Sequence, residues 1–222
     1  MKLINIAQVA ATVTLVLAPL PGAAQVAGSR VLKVPCCKCV DGKKLEVVID
    51  TGRVAGWTVR KPGSTSAAPV QSASNSAWAT VSSASWVGPG SSFTTAGTYV
   101  YEFKFEVPRC TIPAAVSISG RFAADNSGKV SLDNGPTVAS SLGSANLGFQ
   151  QANVTPYTIT GIGPGPHTLK VEVYNAGSAT GLALSGIITV ACPRDPNATA
   201  SAGNSGDEFA DAADGCADCT GG

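Results

Sequence analysis

The stretch TYVYEFKFEV, residues 98–107, decides which fold this sequence encodes. Successive side chains of a β-strand point to opposite faces, and here large apolar residues alternate with charged ones. A run of this length with a period of two predicts an antiparallel strand that has one face in a core and the other in water. The predicted core face consists of Tyr99, Tyr101, Phe103, Phe105 and Val107, and the predicted outer face carries Glu102, Lys104 and Glu106.

The same alternation recurs on both sides of this strand. It is present in residues 44–49, 116–122, 169–173 and 182–190, and turns rich in Gly and Pro or Asn separate the runs, as at residues 161–166 and 175–178. No stretch of this region has a sustained helical period. Several half-buried strands with regular turn signals predict an all-β protein with an antiparallel β-sandwich domain at residues 44–192.

The two ends of the chain differ in composition from this domain. Residues 1–24 combine Lys2, an apolar run and small residues after a proline, which predicts a secretory signal peptide cleaved after Ala24. No second apolar run follows, so no transmembrane segment is expected in the mature chain. Residues 25–43 form a Cys-rich lead segment, and residues 193–222 are acidic and poor in apolar groups, which predicts a flexible tail. The expected location is extracellular, secreted or on a bacterial cell surface.

Composition and motifs exclude several functions. Charged residues make up 13% of the chain and the net charge is +1, which argues against a nucleic-acid partner because phosphate binding needs a clustered basic surface. The single histidine, His167, is not part of a metalloprotease motif, and no serine-hydrolase elbow occurs. Glu102 and Glu106 alternate with Lys104, as on a solvated face, rather than forming the carboxylate pair of a glycosidase. We therefore predict no catalytic residues and no enzyme activity.

Seven cysteines indicate disulfide bonds in a secreted chain. Cys110 and Cys192 each follow a predicted strand, so we predict a bridge between them. Such a bridge would close a loop of about 80 residues and contribute about 4 kcal/mol in the chain-entropy model. The pairing of the other five cysteines stays open, with local disulfides the simpler reading and a zinc site the alternative. These five are Cys36, Cys37, Cys39, Cys216 and Cys219.

The acid-containing segment RFAADNSGKVSLDNGP, residues 121–136, has the residue types of a calcium loop but not the spacing. An EF-hand loop that begins at Asp125 would need an oxygen ligand at its fifth position, where Lys129 stands. We therefore predict a hairpin, with a turn at residues 125–128 and a second turn at residues 133–136 that ends the strand. A structural calcium ion held by Asp125, Asn126 or Asp133 with backbone carbonyls is the alternative, and no other cofactor is expected.

Three tryptophans lie close together in the sequence, at positions 57, 78 and 86. Trp57 has apolar neighbours and is expected in the core. Trp78 and Trp86 lie in a Ser-rich stretch, where exposed indole rings would stack against the apolar faces of sugars. Core packing is the alternative for both.

Three segments of the chain resemble a known family. They are GRFAADNSGKVSLDNG, residues 120–135, PYTITG, residues 156–161, and GPHTLKVEVYNAGSATGLALSGIITV, residues 165–190. Together with the upstream Trp and Tyr-x-Tyr-x-Phe-x-Phe, they resemble a secreted bacterial β-sandwich module of the galactose-binding-like, carbohydrate-binding-module type. The resemblance covers residues 54–192. The chain departs from the family pattern at His167, where Asn is usual, and at Asp133, an extra acidic residue beside Leu-Asn-Gly.

The resemblance implies a jelly-roll sandwich and a binding or structural role. It also implies that the chain belongs to a larger surface assembly, as the N-terminal part of a YD-repeat-type protein. We expect a non-catalytic module for carbohydrate binding or adhesion with a glycan as partner. The first alternative is a purely structural spacer of a larger cell-surface protein, and the second is a hydrolase with an unrecognised site. The candidate ligand-binding residues are Trp78, Trp86, Asp125, Asn126 and Tyr174, the last on the face opposite Val173.

Overall fold

The structure is a computed structural model that describes residues 31–34, 44–90, 95–107, 116–141 and 146–191. Several predictions fall outside these residues and stay predictions. They concern the signal peptide at residues 1–24, most of the lead segment, all seven cysteines including the Cys110–Cys192 bridge, and the tail at residues 193–222. The predicted sandwich domain lies almost entirely inside the described ranges.

The described residues form β-strands and one short 3-10 turn, Gln151–Asn153. The strands are β1 (Leu32–Lys33), β2 (Lys44–Val48), β3 (Thr58–Arg60), β4 (Ala67–Pro69), β5 (Gln71–Ser72), β6 (Val87–Gly88), β7 (Gly97–Val107), β8 (Val116–Asp125), β9 (Ser127–Leu132), β10 (Ala139–Ser140), β11 (Thr155–Thr160), β12 (Gly165–Asn175) and β13 (Gly181–Ala191). The all-β class is confirmed.

Two sheets pack against each other as a β-sandwich. The front sheet has the order β10-β9-β12-β7-β3-β4, with β1 also paired to β7, and the back sheet has the order β11-β8-β13-β6-β5, with β2 also paired to β13. All pairs are antiparallel except β1 with β7. The order β7-β12-β9-β10 in one sheet and β2-β13-β8-β11 in the other is the interleaved order of a jelly roll, in which most connections cross between the sheets.

The core lies between the sheets, as the alternation in β7 predicts. All five apolar residues of β7 on the predicted core face are almost fully buried, whereas Lys104 and Glu106 are exposed. Trp57 also lies in the core, where its ring centroid is 5.3 Å from that of Phe103. Its indole Nε1 donates a hydrogen bond to the Ile49 carbonyl oxygen at 2.9 Å. The expectation that Trp57 packs in the core is therefore confirmed.

The first turn of segment 121–136 is not a hairpin turn. Strand β8 belongs to the back sheet and β9 to the front sheet, and only Asn126 separates them, so the chain changes sheets here. The peptide bond between Asp125 and Asn126 is cis. The second turn ends β9 as predicted: Asp133 and Asn134 adopt φ of 50° and 58°, and the Gly135 N–H donates to the Leu132 carbonyl.

Strand β1 extends the sandwich beyond the predicted domain boundary at residue 44. Leu32 and Lys33 lie in the segment assigned to the Cys-rich lead, yet they pair in parallel with Phe105 and Glu106 of β7. Val34 follows them and is buried. The sandwich therefore includes residues of the lead segment. A two-residue strand cannot display a period of two, which is why the sequence did not predict it.

Two neighbouring glycines shape the back sheet. Gly120 of β8 pairs with Gly186 of β13 on one side and with Tyr157 of β11 on the other. The Tyr157 hydroxyl donates to the Ser185 carbonyl oxygen at 3.3 Å, and a Cβ atom on Gly186 would overlap that hydroxyl. The Tyr157 hydroxyl therefore reaches over β13 because residue 186 lacks a side chain.

Candidate functional site

The five candidate ligand-binding residues lie at one end of the sandwich and form a continuous series of contacts. The rings of Trp78 and Trp86 stack with centroids 4.4 Å apart and planes inclined by 28°. Trp78 Nε1 donates a hydrogen bond to Asp125 Oδ2 at 2.7 Å. The next residue, Asn126, donates its backbone N–H to the Tyr174 carbonyl oxygen at 2.7 Å. The structure thus brings together residues that are far apart in the sequence.

The two tryptophans form a half-buried pair rather than a fully exposed platform. Trp86 Nε1 donates to the Ala79 carbonyl oxygen at 2.7 Å, so both indole N–H groups have partners inside the protein. A Cβ atom on Gly181 would lie 2.9 Å from the Trp78 ring and 3.2 Å from the Trp86 ring. The pair therefore covers the start of β13, next to a small second core of Ala79, Val81, Ala123, Val154 and Ala183.

Asp125 is a buried carboxyl group at the end of β8. It is 6% exposed, its carboxylate accepts the Trp78 hydrogen bond, and its backbone oxygen accepts one from Thr180 Oγ1 at 2.7 Å. Burial raises the pKa of the Asp125 carboxyl above its ordinary value, because desolvation disfavours the charged form, and the Trp78 hydrogen bond only partly opposes this. The ionised carboxylate is therefore less favourable in the folded state than in the unfolded chain.

Replacement of Asp125 by asparagine is expected to change how stability depends on pH. A raised folded-state pKa contributes stability that is present below the unfolded pKa of about 3.9 and is lost as the pH rises through the folded pKa. Asn keeps an acceptor oxygen for Trp78 and does not titrate. The unfolding free energy of Asp125→Asn minus that of the wild type should therefore be constant at low pH and increase as the wild-type carboxyl ionises. Denaturant unfolding of both proteins from pH 3 to 7 measures this difference in free energy. A difference that decreases as the pH rises would contradict the prediction.

Asn126 stabilises the point where the chain changes sheets. Its side-chain Oδ1 accepts a hydrogen bond from the Ala176 backbone N–H at 2.7 Å, and its backbone oxygen accepts one from the Gly148 N–H at 2.7 Å. Its amide therefore already has a structural partner in the connection between β12 and β13. Tyr174, in contrast, is 46% exposed on the outer face of the front sheet, as the burial of Val173 predicts.

Asp133 and His167, the two positions at which the sequence departs from the pattern that it resembles, contact each other. Asp133 Oδ2 is 2.6 Å from His167 Nδ1, and Asp133 Oδ1 accepts a hydrogen bond from the Thr168 N–H at 2.7 Å. The other ring nitrogen of His167, Nε2, is 2.7 Å from the Gly163 carbonyl oxygen. His167 and Asp133 therefore join the turn after β9 to the first residues of β12.

The two aspartates considered for calcium do not share a site. Asp125 precedes β9 and Asp133 follows it, and a six-residue strand is about 20 Å long. Each carboxylate also has its own partners within the protein. In the part of the chain that the structure describes, no three His, Cys, Asp or Glu side chains converge on a point that could hold a metal ion.

An open cleft that the sequence did not predict lies beside the tryptophan pair. It has a volume of about 560 Å³ and lies at the edge of the sandwich where the chain crosses from β4 to β5. Trp86 lines it, but Trp78 does not. The described lining residues are Gly52, Arg53, Val54, Ala55, Gly56, Trp57, Thr58, Pro69, Val70, Gln71, Ser72, Ser85, Trp86 and Val87.

Thr51 joins the two loops that form the rim of this cleft. Its hydroxyl donates to the Ser85 carbonyl oxygen at 2.8 Å and accepts from the Leu184 N–H at 3.0 Å, while the Ser85 N–H donates to the Thr51 carbonyl at 2.9 Å. Gly52 then approaches Ser85 so closely that a Cβ atom would lie 2.5 Å from the Ser85 Cβ. Its φ of +75° is also a conformation that favours glycine. The loop carrying Arg53 and the segment carrying Trp86 are therefore held together.

Arg53 is held at the rim by the buried Asp50. The Arg53 backbone N–H donates to the Asp50 carbonyl oxygen at 3.4 Å, and Asp50 Oδ1 accepts a hydrogen bond from the Gly186 N–H at 2.9 Å. Arg53 Nη1 lies 3.6 Å from Asp50 Oδ2, with the arginine side chain 61% exposed. No periodicity or motif marks Arg53 or Gln71 in the sequence, because both lie in or beside irregular connections.

No protein-family model matches this chain, and no curated protein matches it. Among solved structures, the chain is similar to an FMN-binding beta-glucuronidase from Facaelibacterium prausnitzii L2-6, at 19% identity and a TM-score of 0.40. This similarity covers 68% of the chain and 23% of the glucuronidase. A xylan-binding module, CBM15, is similar at 11% identity and a TM-score of 0.37, over 68% of the chain and 99% of the module. At these values neither similarity carries an argument about function.

No helix in the described ranges is long and apolar enough to span a membrane.

Proposed function

We propose that this chain is a non-catalytic carbohydrate-binding module, secreted or attached to a cell surface, and that the cleft beside Trp86 is its ligand site. The extracellular location rests on the signal-peptide pattern of residues 1–24. The observation that carries the binding proposal is the combination of an aromatic ring with amide and hydroxyl groups in one open cleft.

The chemistry of the lining residues suits a sugar. Saccharides present apolar C–H faces, which stack on aromatic rings, and hydroxyl edges, which exchange hydrogen bonds with polar side chains. Trp86 supplies the ring, and Gln71, Ser72 and Ser85 supply an amide and two hydroxyls. The cleft volume of about 560 Å³ lies within the range of about 300–1,000 Å³ typical of small-molecule sites.

The same residues support a role without catalysis. The described residues that line the cleft include no carboxylate and no imidazole. Glycoside hydrolysis uses two carboxyl groups on either side of the bond that is cleaved, and general acid–base chemistry needs a group that titrates near neutral pH. A cleft with this lining binds a ligand without supplying the groups that these reactions require.

A glycan-binding experiment with two matched variants tests the proposal. We expect the wild type to bind at least one glycan on an array, and Trp86→Ala to weaken that binding at least about tenfold, since one base-sized stacking contact is worth about 1–3 kcal/mol. Tyr174→Ala is the control, because it removes an exposed aromatic ring that does not line the cleft. Thermal unfolding of each variant checks that the fold persists.

Three outcomes separate the alternatives. Equal binding by wild type and Trp86→Ala, with loss in Tyr174→Ala, would move the site to the outer face of the front sheet. No binding to any glycan, with or without a calcium chelator, would overturn the proposal and favour a structural spacer. The half-buried tryptophan pair and the internal hydrogen bonds of Asp125 and Asn126 are the observations that favour the spacer.

A further inference from the structure

We infer that His167 is a pH-sensitive latch: its doubly protonated ring joins the Gly163 carbonyl oxygen to the Asp133 carboxylate, and loss of one proton releases the turn at Gly163. The latch lies between the turn after β9 and the turn at residues 161–164, which connects β11 to β12. It goes beyond the proposed function, since none of its residues lines the cleft.

Both ring nitrogens of His167 face oxygen atoms that only accept hydrogen bonds. Nδ1 lies 2.6 Å from Asp133 Oδ2, and Nε2 lies 2.7 Å from the Gly163 carbonyl oxygen. Neither a carbonyl oxygen nor an ionised carboxylate has a proton to donate, so each contact needs a proton on the ring. Neutral imidazole carries one N–H group and imidazolium carries two. The two contacts are therefore satisfied together only when both ring nitrogens are protonated.

The surroundings of the ring suit a cation. Only 12% of the His167 side chain is exposed, and its ring centroid lies 5.3 Å from that of Phe105. A cation within about 6 Å of an aromatic centroid is attracted by the negative face of that ring. Among the residues that the structure describes, Asp133 is the one charged group that contacts the imidazole.

The other described titratable groups on β12 and on the strands around it do not contact the ring. The charged residues alternate with core-facing ones and lie on the outer face of the front sheet: Lys33, Glu102, Lys104, Glu106, Lys129, Lys170 and Glu172. Tyr99, Tyr101 and Tyr174 lie towards the other end of the β7–β12 pair, and the Tyr157 hydroxyl donates to the Ser185 carbonyl oxygen. Asp133 is therefore the described titratable group that responds directly to the His167 proton.

Loss of one proton breaks the contact with Gly163 rather than the contact with Asp133. A hydrogen bond to an ionised acceptor is roughly twice as strong as one between neutral groups. The proton that stays is therefore the one on Nδ1, which faces the carboxylate. Nε2 then directs a lone pair at the Gly163 carbonyl oxygen, and two acceptors 2.7 Å apart repel each other.

In the described part of the chain, little else holds the turn near Gly163. No described atom lies within 4 Å of the position that a Cβ would take at Gly161, Gly163 or Gly165. Gly161 and Gly165 adopt φ of +68° and +124°, which glycine reaches without a steric cost. Ile162, in contrast, is buried, and its N–H donates to the Val116 carbonyl oxygen at 3.3 Å. Release of Gly163 therefore opens the turn between Ile162 and Gly165.

The latch holds at acidic pH and opens as the pH rises. Histidine side chains change charge between about pH 5 and pH 8. Protonation of His167 adds a hydrogen bond in the folded state and adds none in the unfolded chain. The latch therefore contributes stability at the acidic end of this range, and that contribution is lost as the pH rises.

Nitrogen-15 NMR of the full chain with a labelled histidine ring tests the inference, because His167 is the only histidine in the sequence. We expect protons on both ring nitrogens at about pH 5 and on Nδ1 alone at about pH 8. The backbone order parameter of Gly163 should fall over the same interval, from about 0.85 to below about 0.6, while that of Ile162 stays constant. A neutral ring that keeps its proton on Nε2 overturns the inference, as does an order parameter of Gly163 that does not change.

Two substitutions should fix the latch in its two states. The amide nitrogen of Gln reaches the position of Nε2, so His167→Gln donates to Gly163 at every pH. The amide nitrogen of Asn reaches only the position of Nδ1, so His167→Asn donates to Asp133 and leaves Gly163 free. We expect Gly163 to be ordered throughout the titration in His167→Gln and mobile throughout in His167→Asn. A pH-dependent change in the Gly163 order parameter that persists in either folded variant overturns the inference.

A second pair of variants tests the role of the carboxylate. Asp133→Asn keeps an acceptor oxygen for the ring and removes its charge, so the transition should move to lower pH. Asp125→Asn is the matched control, because Asp125 lies at the other end of β9 and should leave the transition where it is. A transition that does not move in Asp133→Asn, or that moves equally in both variants, overturns the inference. The wild-type titration decides the inference even if a variant does not fold.

Discussion

Gly120→Ala is expected to lower the free energy of unfolding by more than about 3 kcal/mol, above the usual range of about 1–3 kcal/mol for overpacking substitutions. A Cβ atom at residue 120 would overlap the Ser185 carbonyl oxygen and lie 2.9 Å from the Gly186 Cα. Both are backbone atoms of β13, which pairs with β8 along ten residues. Relief of the overlap therefore requires the two strands to separate, which costs hydrogen bonds in the middle of the back sheet. Equilibrium denaturant unfolding measures the change.

Gly163→Ala is the control for this substitution. Gly163 lies in the turn between β11 and β12, and nothing approaches within 4 Å of the position that its Cβ would take. The backbone oxygen that faces His167 is unchanged by the substitution. We expect a change within about 0.5 kcal/mol, as for most surface positions. Similar effects of the two substitutions would show that the overlap at Gly120 is not what limits stability.

Thr51→Val is expected to lower the free energy of unfolding by about 2–4 kcal/mol, because the hydrogen bonds of the Thr51 hydroxyl are lost. The two side chains have nearly the same shape, so packing should contribute little to this change. Thr51 is fully buried, and its hydroxyl bonds both the Leu184 N–H and the Ser85 carbonyl. Valine would leave the Leu184 N–H without this partner in the interior and would remove the partly buried bond to the Ser85 carbonyl. Because the same hydroxyl joins the two loops of the cleft, any glycan affinity should fall as well.

Thr51→Ser separates the hydroxyl from the methyl group. Serine keeps the hydrogen-bonding oxygen and loses one buried methyl, which costs about 0.5–1.5 kcal/mol. Denaturant unfolding and glycan titration on both variants distinguish the two contributions. If serine destabilises the protein as much as valine does, then packing of the methyl group, not the hydrogen bonds, holds the cleft rim.

The long strands were predictable from the sequence, whereas their assignment to sheets was not. A period of two identifies the core face of β7 without any knowledge of its neighbours, since it depends only on the geometry of one strand. The same pattern in β8 and β9 cannot tell whether they pair with each other or lie in opposite sheets. Strands β3 to β6 and β10 are two or three residues long and carry no detectable alternation.

The candidate site likewise contains some residues that the sequence predicted and others that only the structure revealed. Tryptophans in a Ser-rich stretch of the sequence predicted two ligand-binding residues. Trp86 lines the cleft, and Trp78 does not. Arg53, Gln71 and Thr51 carry no local signal, because their importance comes from residues far away in the chain, as with the bonds from Thr51 to Leu184 and Ser85.

By itself, the sequence determined the all-β class, the buried face of β7 and the outward position of Tyr174, because each depends on which way successive side chains of one strand point. Only the tertiary structure decided that Asp125 is buried against Trp78, that Asp133 contacts His167, and that a cleft opens beside Trp86. These contacts depend on strand order, register and crossings between sheets, which join segments through space rather than along the chain.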